Sequence, residues 1–83
     1  MKLLYFAWVR QKVGRGEEDV EVPATVRTAG ELLTWLRGRG GGYADAFAEP
    51  ARIRIAVNQE HGGPGSAVRQ GDEVAFFPPV TGG

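Results

Sequence analysis

The chain has 83 residues, 42% of them hydrophobic and 10% aromatic, a composition typical of one small globular domain. Its ten basic and ten acidic residues give a net charge of zero, which argues against nucleic-acid binding because that function needs a positive surface. The absence of cysteine excludes disulfides, thiolate zinc sites and cysteine nucleophiles, and it fits a cytoplasmic location.

The first predicted element is a strand over residues 2–10, where aromatic and aliphatic side chains dominate. Because the run is apolar at odd and even positions alike, we expect a central strand covered on both faces. Arg10 and Lys12 close the run too early for a membrane span or a signal peptide. A glycine-containing loop over 11–16 leads to a weaker strand over 17–22, and the two strands are predicted to form a hairpin.

Four acidic residues cluster on the second predicted strand: Glu17, Glu18, Asp19 and Glu21. A run of charge usually faces solvent and protects a sheet edge from aggregation, and we favour this interpretation. The alternative is a docking surface for a basic partner.

The main predicted helix begins at a T-x-x-E capping box formed by Thr28 and Glu31. A stripe of apolar residues follows at helical spacing: Leu32, Leu33, Trp35 and Leu36. The glycine-rich segment 38–42 ends the helix; it lacks the Lys-Ser/Thr pair of a phosphate-binding P-loop, so we interpret it as a flexible surface loop. A short second helix over 43–48 is predicted, with Phe47 as its anchor.

The C-terminal half is predicted to return to the sheet. Alternating apolar residues over 53–57 predict a strand buried on one face, and 73–77 is the last strand. Between them lies a turn-rich segment, with one extra short strand over 58–61 as an alternative to an unpaired turn. His61 in this segment has no partner at metal-ligand spacing, so we interpret it as an exposed turn residue and expect no metal site.

The predicted order is strand, strand, helix, strand, strand. A hairpin, a crossover helix and returning strands predict an α+β fold, with one mixed sheet and one main helix packed across it. The β-grasp, or ubiquitin-like, fold is the best-known arrangement of this kind. The predicted domain covers 1–78, and 79–83 is predicted to be a flexible, extended tail.

Phe76 and Phe77 are adjacent, so in a strand they point to opposite faces; one can fill the core and the other can meet a partner. We therefore predict a partner interface at Phe76, Phe77, Pro78 and Pro79, and an exposed apolar patch near the last strand. The two prolines end the strand and favour an extended arm. The arm ends with Val80, Thr81, Gly82 and Gly83.

The two glycines at the tip have no Cβ, so the backbone can enter a narrow channel and the terminal carbonyl is open to attack. Six residues from 78 to 83 can reach about 20 Å. We therefore predict that Gly83 is the reactive end of the chain, and that Val80, Thr81 and Gly82 provide access for it.

Residues 71–83, with the sequence GDEVAFFPPVTGG, resemble the C-terminal signature of the small subunits of molybdopterin synthase, a family of ubiquitin-like sulfur carriers. Tyr5-Phe6-Ala7, with Arg10 and Gly14, is similar to that family's first strand, and Ala56-Val57-Asn58-Gln59 resembles its middle-strand motif. The chain departs from the family at 61–66, where the family more often carries an apolar residue.

The resemblance implies a β-grasp fold and a cycle of activation and transfer. The Gly83 carboxylate would be adenylated by a ubiquitin-activating-like enzyme that uses ATP, then converted to a thiocarboxylate with sulfur from a donor protein. The large catalytic subunit of molybdopterin synthase would receive the tail, and the sulfur would build the dithiolene of molybdopterin on a cyclic pterin phosphate. The resemblance also implies a heterotetramer, no bound cofactor and no catalytic residue other than Gly83 itself.

Three alternatives stay open. The first is a sulfur carrier for thiamin thiazole synthesis, against which the Phe-Phe-Pro-Pro block argues. The second is a ubiquitin-like modifier whose Gly83 forms an isopeptide with a lysine. The third is a plain binding module with an inert tail.

Overall fold

A five-stranded mixed sheet forms the centre of the computed structural model, which describes residues 1–79. In the order β2-β1-β5-β3-β4, β1 and β5 are parallel and the other neighbours are antiparallel. The strands are β1 (Lys2–Tyr5), β2 (Glu17–Asp19), β3 (Arg54–Val57), β4 (Glu60–Gly62) and β5 (Glu73–Phe77). Within the described residues the helices are α1 (Ala7–Val13), α2 (Ala29–Arg37) and α3 (Gly41–Ala46), with a 3₁₀ turn at Pro50–Arg52. The predicted α+β mixed sheet is confirmed.

The first predicted strand is wrong beyond Tyr5, because the chain turns into α1. Phe6 is still extended, but Ala7 has a φ of 53°, and this turn directs the chain away from the sheet. Val9 is buried and Val13 is partly buried, so the two apolar side chains share one helix face at a spacing of four residues. β1 and β2 pair antiparallel as predicted, but a helix rather than a loop connects them.

The strand β2 is also shorter than predicted and ends at Asp19. Beyond it, the Met1 amine donates to the Val20 carbonyl, and the Val20 N–H donates to the Met1 carbonyl, so Val20 still pairs with the chain start. Val22 then turns into the core, where only 7% of its surface is exposed.

The main helix α2 begins as predicted. The Thr28 hydroxyl accepts a hydrogen bond from the Glu31 N–H, and the Glu31 carboxylate accepts one from the Thr28 N–H, which completes the capping box. The buried side chains of α2 are Ala29, Leu32, Leu33 and Leu36. They pack in one core with the buried side chains of β1, β3 and β5. Trp35 packs against this core without being fully buried.

The glycine-rich segment is not the flexible surface loop that we predicted, because its second half starts α3. Gly40 is the N-cap of α3 at a φ of 77°, which a glycine adopts without strain. Gly42 lies directly against α1: a Cβ built there would overlap the Lys12 carbonyl oxygen and would come within 3.2 Å of the Val13 Cα. The absence of a side chain at Gly42 is therefore what allows α1 and α3 to pack together.

The predicted second helix is present as α3, and Phe47 directly after it is fully buried, as expected for an anchor. The Phe47 ring lies 5.2 Å from the ring of Phe76. The extra short strand is present as β4, which pairs with β3, and His61 lies in it with its side chain exposed. Within residues 1–79, no helix is long and apolar enough to cross a bilayer.

Candidate functional site

The candidate site lies where β5 ends. β5 is bonded on both sides, to β1 and to β3, so its last residue is held at a fixed place in the sheet. Pro78 and Pro79 follow it and are partly exposed. The predicted tail residues Val80, Thr81, Gly82 and Gly83 lie outside the described residues, so their role and the domain boundary after residue 78 stay predictions.

The adjacent residues Phe76 and Phe77 point to opposite faces of the sheet, as the alternation of side chains along a strand requires. Phe76 is fully buried, stacked on Tyr5 at 5.8 Å between ring centroids. This corrects the prediction that Phe76 contributes to a partner interface, because a core side chain cannot contact another protein. Phe77 points to the opposite face, is partly exposed, and meets the His61 ring edge-on at 5.7 Å. Phe77 is therefore the one of the two that a partner can reach.

Sequence reasoning missed Phe6, whose side chain is 49% exposed. The Phe6 N–H donates to the Phe76 carbonyl at 3.1 Å, so Phe6 continues the pairing of β1 beside Phe77. The sequence predicts that Phe6 lies in a strand covered on both faces, and this prediction is wrong for the face that carries Phe6. The sequence carries no signal for this, because residues 3–9 are apolar at odd and even positions alike; only the structure shows that Leu3 and Tyr5 face the core while Phe6 is exposed.

The side of the sheet that carries Phe6 and Phe77 is here called the open face. Its central row runs across four strands as direct partners: Leu4, Ala75, Ala56 and His61. The two alanines make the middle of this row shallow. Phe6 and Phe77 lie two residues further along β1 and β5, at the end of the sheet from which the C-terminal arm leaves. The exposed apolar patch predicted near the last strand is present and is shared by Phe6 and Phe77.

On the core side of the sheet, one carboxylate accepts hydrogen bonds from several side chains. Glu18 in β2 has a side chain that is only 6% exposed and accepts hydrogen bonds from the hydroxyls of Tyr5, at 2.8 Å, and Tyr43. Arg39 donates to it at 3.3 Å, and the Arg15 guanidinium lies 3.5 Å away. The prediction of a solvated acidic edge is thus wrong for Glu18, although its neighbours Glu17, Asp19 and Glu21 are exposed.

Hydrogen bonding explains the ionisation of this cluster. Burial opposes ionisation of Glu18, but the hydrogen bonds from Tyr43 and Tyr5 and the charge of Arg39 outweigh it and hold the Glu18 pKa below its usual value. Burial, and then the hydrogen bond to Glu18, raises the pKa of Tyr5 and of Tyr43. The cluster joins β1 and β2 to α3 and lies away from the open face, so we assign it to stability.

Replacing Glu18 with glutamine is expected to lower the free energy of unfolding at pH 7 by about 2 kcal/mol, because a buried charge bonded to Tyr5, Tyr43 and Arg39 is lost. Because the native pKa is lowered, this stabilisation is present above the unfolded pKa and is lost as the pH falls through the native one. Urea unfolding at pH 7 and pH 3 should therefore show a difference that shrinks at pH 3.

Glu17→Gln is the matched control, because that side chain is 66% exposed and pairs with Lys2 at the surface. Its effect should stay below about 0.5 kcal/mol. A Glu18→Gln variant as stable as this control would show that the cluster adds nothing to stability.

A protein-family model described as the ThiS family matches residues 3–83. The chain belongs to this family. It is also 40% identical over 83 residues to the "molybdopterin synthase sulfur carrier subunit" of Escherichia coli (strain K12), an alignment that covers 100% of the chain and 99% of that relative. The prediction from sequence that this is a ubiquitin-like sulfur-carrier relative is confirmed.

Two solved structures of this fold confirm the β-grasp prediction. A putative molybdopterin converting factor, subunit 1, from Pyrococcus furiosus aligns with a TM-score of 0.75 at 32% identity, covering 95% of both chains. The small archaeal modifier protein 1 of H. volcanii aligns with a TM-score of 0.68 at 26% identity, covering 96% of this chain and 97% of the other.

Proposed function

We propose that this chain is the sulfur-carrier small subunit of molybdopterin synthase. The observation that carries the proposal is the 40% identity, over the full length of the chain, to the E. coli relative named for that role. The end of β5 supports it, because a carrier needs a reactive arm attached to a rigid domain. β5 supplies such an attachment: it is bonded on both sides and anchored in the core by Phe76.

The proposed chemistry takes place at the Gly83 carboxylate. A carboxylate is a poor electrophile, so an activating enzyme first uses ATP to form an acyl-adenylate with release of pyrophosphate. A persulfide on a donor protein then displaces AMP and forms an acyl disulfide. A thiol cleaves the S–S bond of this acyl disulfide, which leaves the thiocarboxylate and joins the thiol to the donor sulfur as a disulfide.

The thiocarboxylate sulfur forms a C–S bond at a carbon of the cyclic pterin phosphate as the C–O bond of that carbon breaks and its oxygen leaves. Water then cleaves the resulting thioester, which leaves a thiolate on the pterin and restores the Gly83 carboxylate. Two such rounds supply the two sulfurs of the dithiolene.

The partners supply the catalysis in this proposal. The chain binds no cofactor of its own, ATP belongs to the activating enzyme, and the large catalytic subunit provides the site in which the pterin reacts. The open face is suited to docking, because Phe6 and Phe77 offer apolar surface at the root of the arm. The assembly is a heterotetramer of two small and two large subunits that works in the cytoplasm.

Co-purification separates this function from the thiazole alternative. The chain should elute in one complex with the large subunit of molybdopterin synthase from the same organism, and separately from the thiazole synthase of that organism. A stable complex with the thiazole synthase alone would contradict the molybdopterin synthase function and support a sulfur carrier for thiamin synthesis. Elution apart from both enzymes would favour a plain binding module.

A second candidate function, protein modification, is favoured by the similarity to the small archaeal modifier protein 1 of H. volcanii. Both functions begin with the same adenylate, so one chain can serve both. Cell digests should then contain lysines linked to Gly83. If such digests hold no Gly83-linked lysine, the modifier function is excluded and the carrier function is unaffected.

A further inference from the structure

Two cationic or proton-donating side chains flank Phe77 on the open face. Arg54 in β3 is the direct antiparallel partner of Phe77, so the two side chains stand side by side on the same face. His61 in β4 is one strand further out, and its ring meets the Phe77 ring at 5.7 Å with 83° between the planes. Arg54 and His61 are both exposed.

The small residues of β3 and β5 make this arrangement possible. His61 is the direct partner of Ala56, and Ala56 is the direct partner of Ala75. Because Ala56 carries only a methyl group, the His61 ring can reach diagonally across β3 to Phe77. A larger residue at position 56 would separate the two rings, so the geometry makes one contiguous surface of Arg54, His61 and Phe77.

The chain itself leaves this charge unbalanced. The other cation that the strands present on this face, Lys2 in β1, is paired with Glu17 at 3.5 Å. Arg54 has no ion pair within residues 1–79. The acidic residue of β5, Glu73, lies four residues from Phe77, which is about 13 Å along the strand.

We propose that Arg54 and His61 recognise carboxylates that surround an apolar hollow for Phe77 on the large catalytic subunit. The proposal rests on the sulfur-carrier function and names the charge that its partner must present. A guanidinium pairs with carboxylates through two parallel hydrogen bonds, and imidazole keeps at least one N–H donor in either protonation state. Because Phe77 precedes Pro78 directly, pairing on both sides of Phe77 also orients the point where the arm leaves the sheet.

Charge at the rim of an interface acts mainly on the rate of association and on its salt dependence. We therefore expect Arg54→Glu and His61→Glu each to slow association with the purified large subunit about tenfold at 50 mM salt. The loss should shrink at 500 mM salt, where screening is strong. Arg54→Lys, which keeps the charge, should lose much less than Arg54→Glu.

Arg69→Glu is the matched control, since Arg69 is equally exposed but precedes β5 at the opposite end of the sheet. It should associate within about twofold of the unmodified chain. Stopped-flow or surface-immobilisation kinetics provide the rates, and thermal unfolding verifies that each variant is folded.

The outcomes separate the inference from the function on which it rests. If the unmodified chain binds and either glutamate variant associates as fast as Arg69→Glu, recognition by Arg54 and His61 is wrong and the carrier function stands. If the unmodified chain does not bind the large subunit at all, both are overturned. Slower association of both glutamate variants, relieved by salt, supports the inference.

Discussion

A chain that lacks Gly83 is expected to lose sulfur loading by at least about 100-fold while keeping its fold. Removing one residue moves the terminal carboxylate by about 3.5 Å. A displacement of even about 1 Å at a reacting group costs about 100-fold in rate, because the activating enzyme must hold that group in line with ATP. Intact-mass measurement of the loaded fraction after incubation with the activating enzyme, ATP and a sulfur donor gives the result.

This deletion should leave the stability of the fold unchanged, because the buried residues of the core run from Leu3 to Phe76. We expect the melting temperature to change by less than about 3 °C. Gly63→Ala is the matched control: it also alters a glycine, but nothing lies within 4 Å of the added methyl group, so loading should be normal. Normal loading of the truncated chain would show that Gly83 is not the reactive residue.

Gly42→Ala is expected to produce the largest loss of stability of any single methyl group added to a glycine of this domain, about 3 kcal/mol. The added Cβ would overlap the Lys12 carbonyl oxygen and press on the Val13 Cα, and both are backbone atoms of α1 that cannot rotate away. α1 and α3 must therefore separate. In a domain of this size the melting temperature should fall by about 12–24 °C.

The control for this substitution is Gly65→Ala, since nothing lies within 4 Å of a Cβ built on Gly65 and its φ is not positive. Alanine there should be neutral or slightly stabilising, because it restricts the unfolded chain. Chemical and thermal unfolding of both variants measure the difference. Equal stability of the two variants would contradict the tight α1–α3 contact.

Elements with strong local signals were predictable from the sequence. The capping box of Thr28 and Glu31 and the apolar stripe after it lie within nine residues, so α2 could be placed correctly. The alternation over 53–57 placed β3 in the same way. The end of β5 was found because the adjacent phenylalanines and prolines are contiguous, and only the assignment of Phe76 to the core required the structure.

Features that depend on distant contacts were not predictable. A short apolar run such as 2–10 is compatible with a strand or a helix, and the turn at Ala7 that separates β1 from α1 leaves no local signal. Glu18 looked like a solvated charge because its hydroxyl partners Tyr5 and Tyr43 lie 13 and 25 residues away. The sequence around Gly42 is typical of a loop, because the α1 backbone that requires a glycine at this position lies 30 residues upstream.

The central claim, that Gly83 carries sulfur, is tested most directly by the intact mass of the unmodified chain. Incubation with the activating enzyme, ATP and a sulfur donor should exchange one carboxylate oxygen for sulfur and raise the mass by about 16 Da, and the increase should disappear when ATP is omitted. Fragmentation should place the added mass on Gly83. An unchanged mass with an activating enzyme that loads the E. coli sulfur carrier under the same conditions would contradict the account.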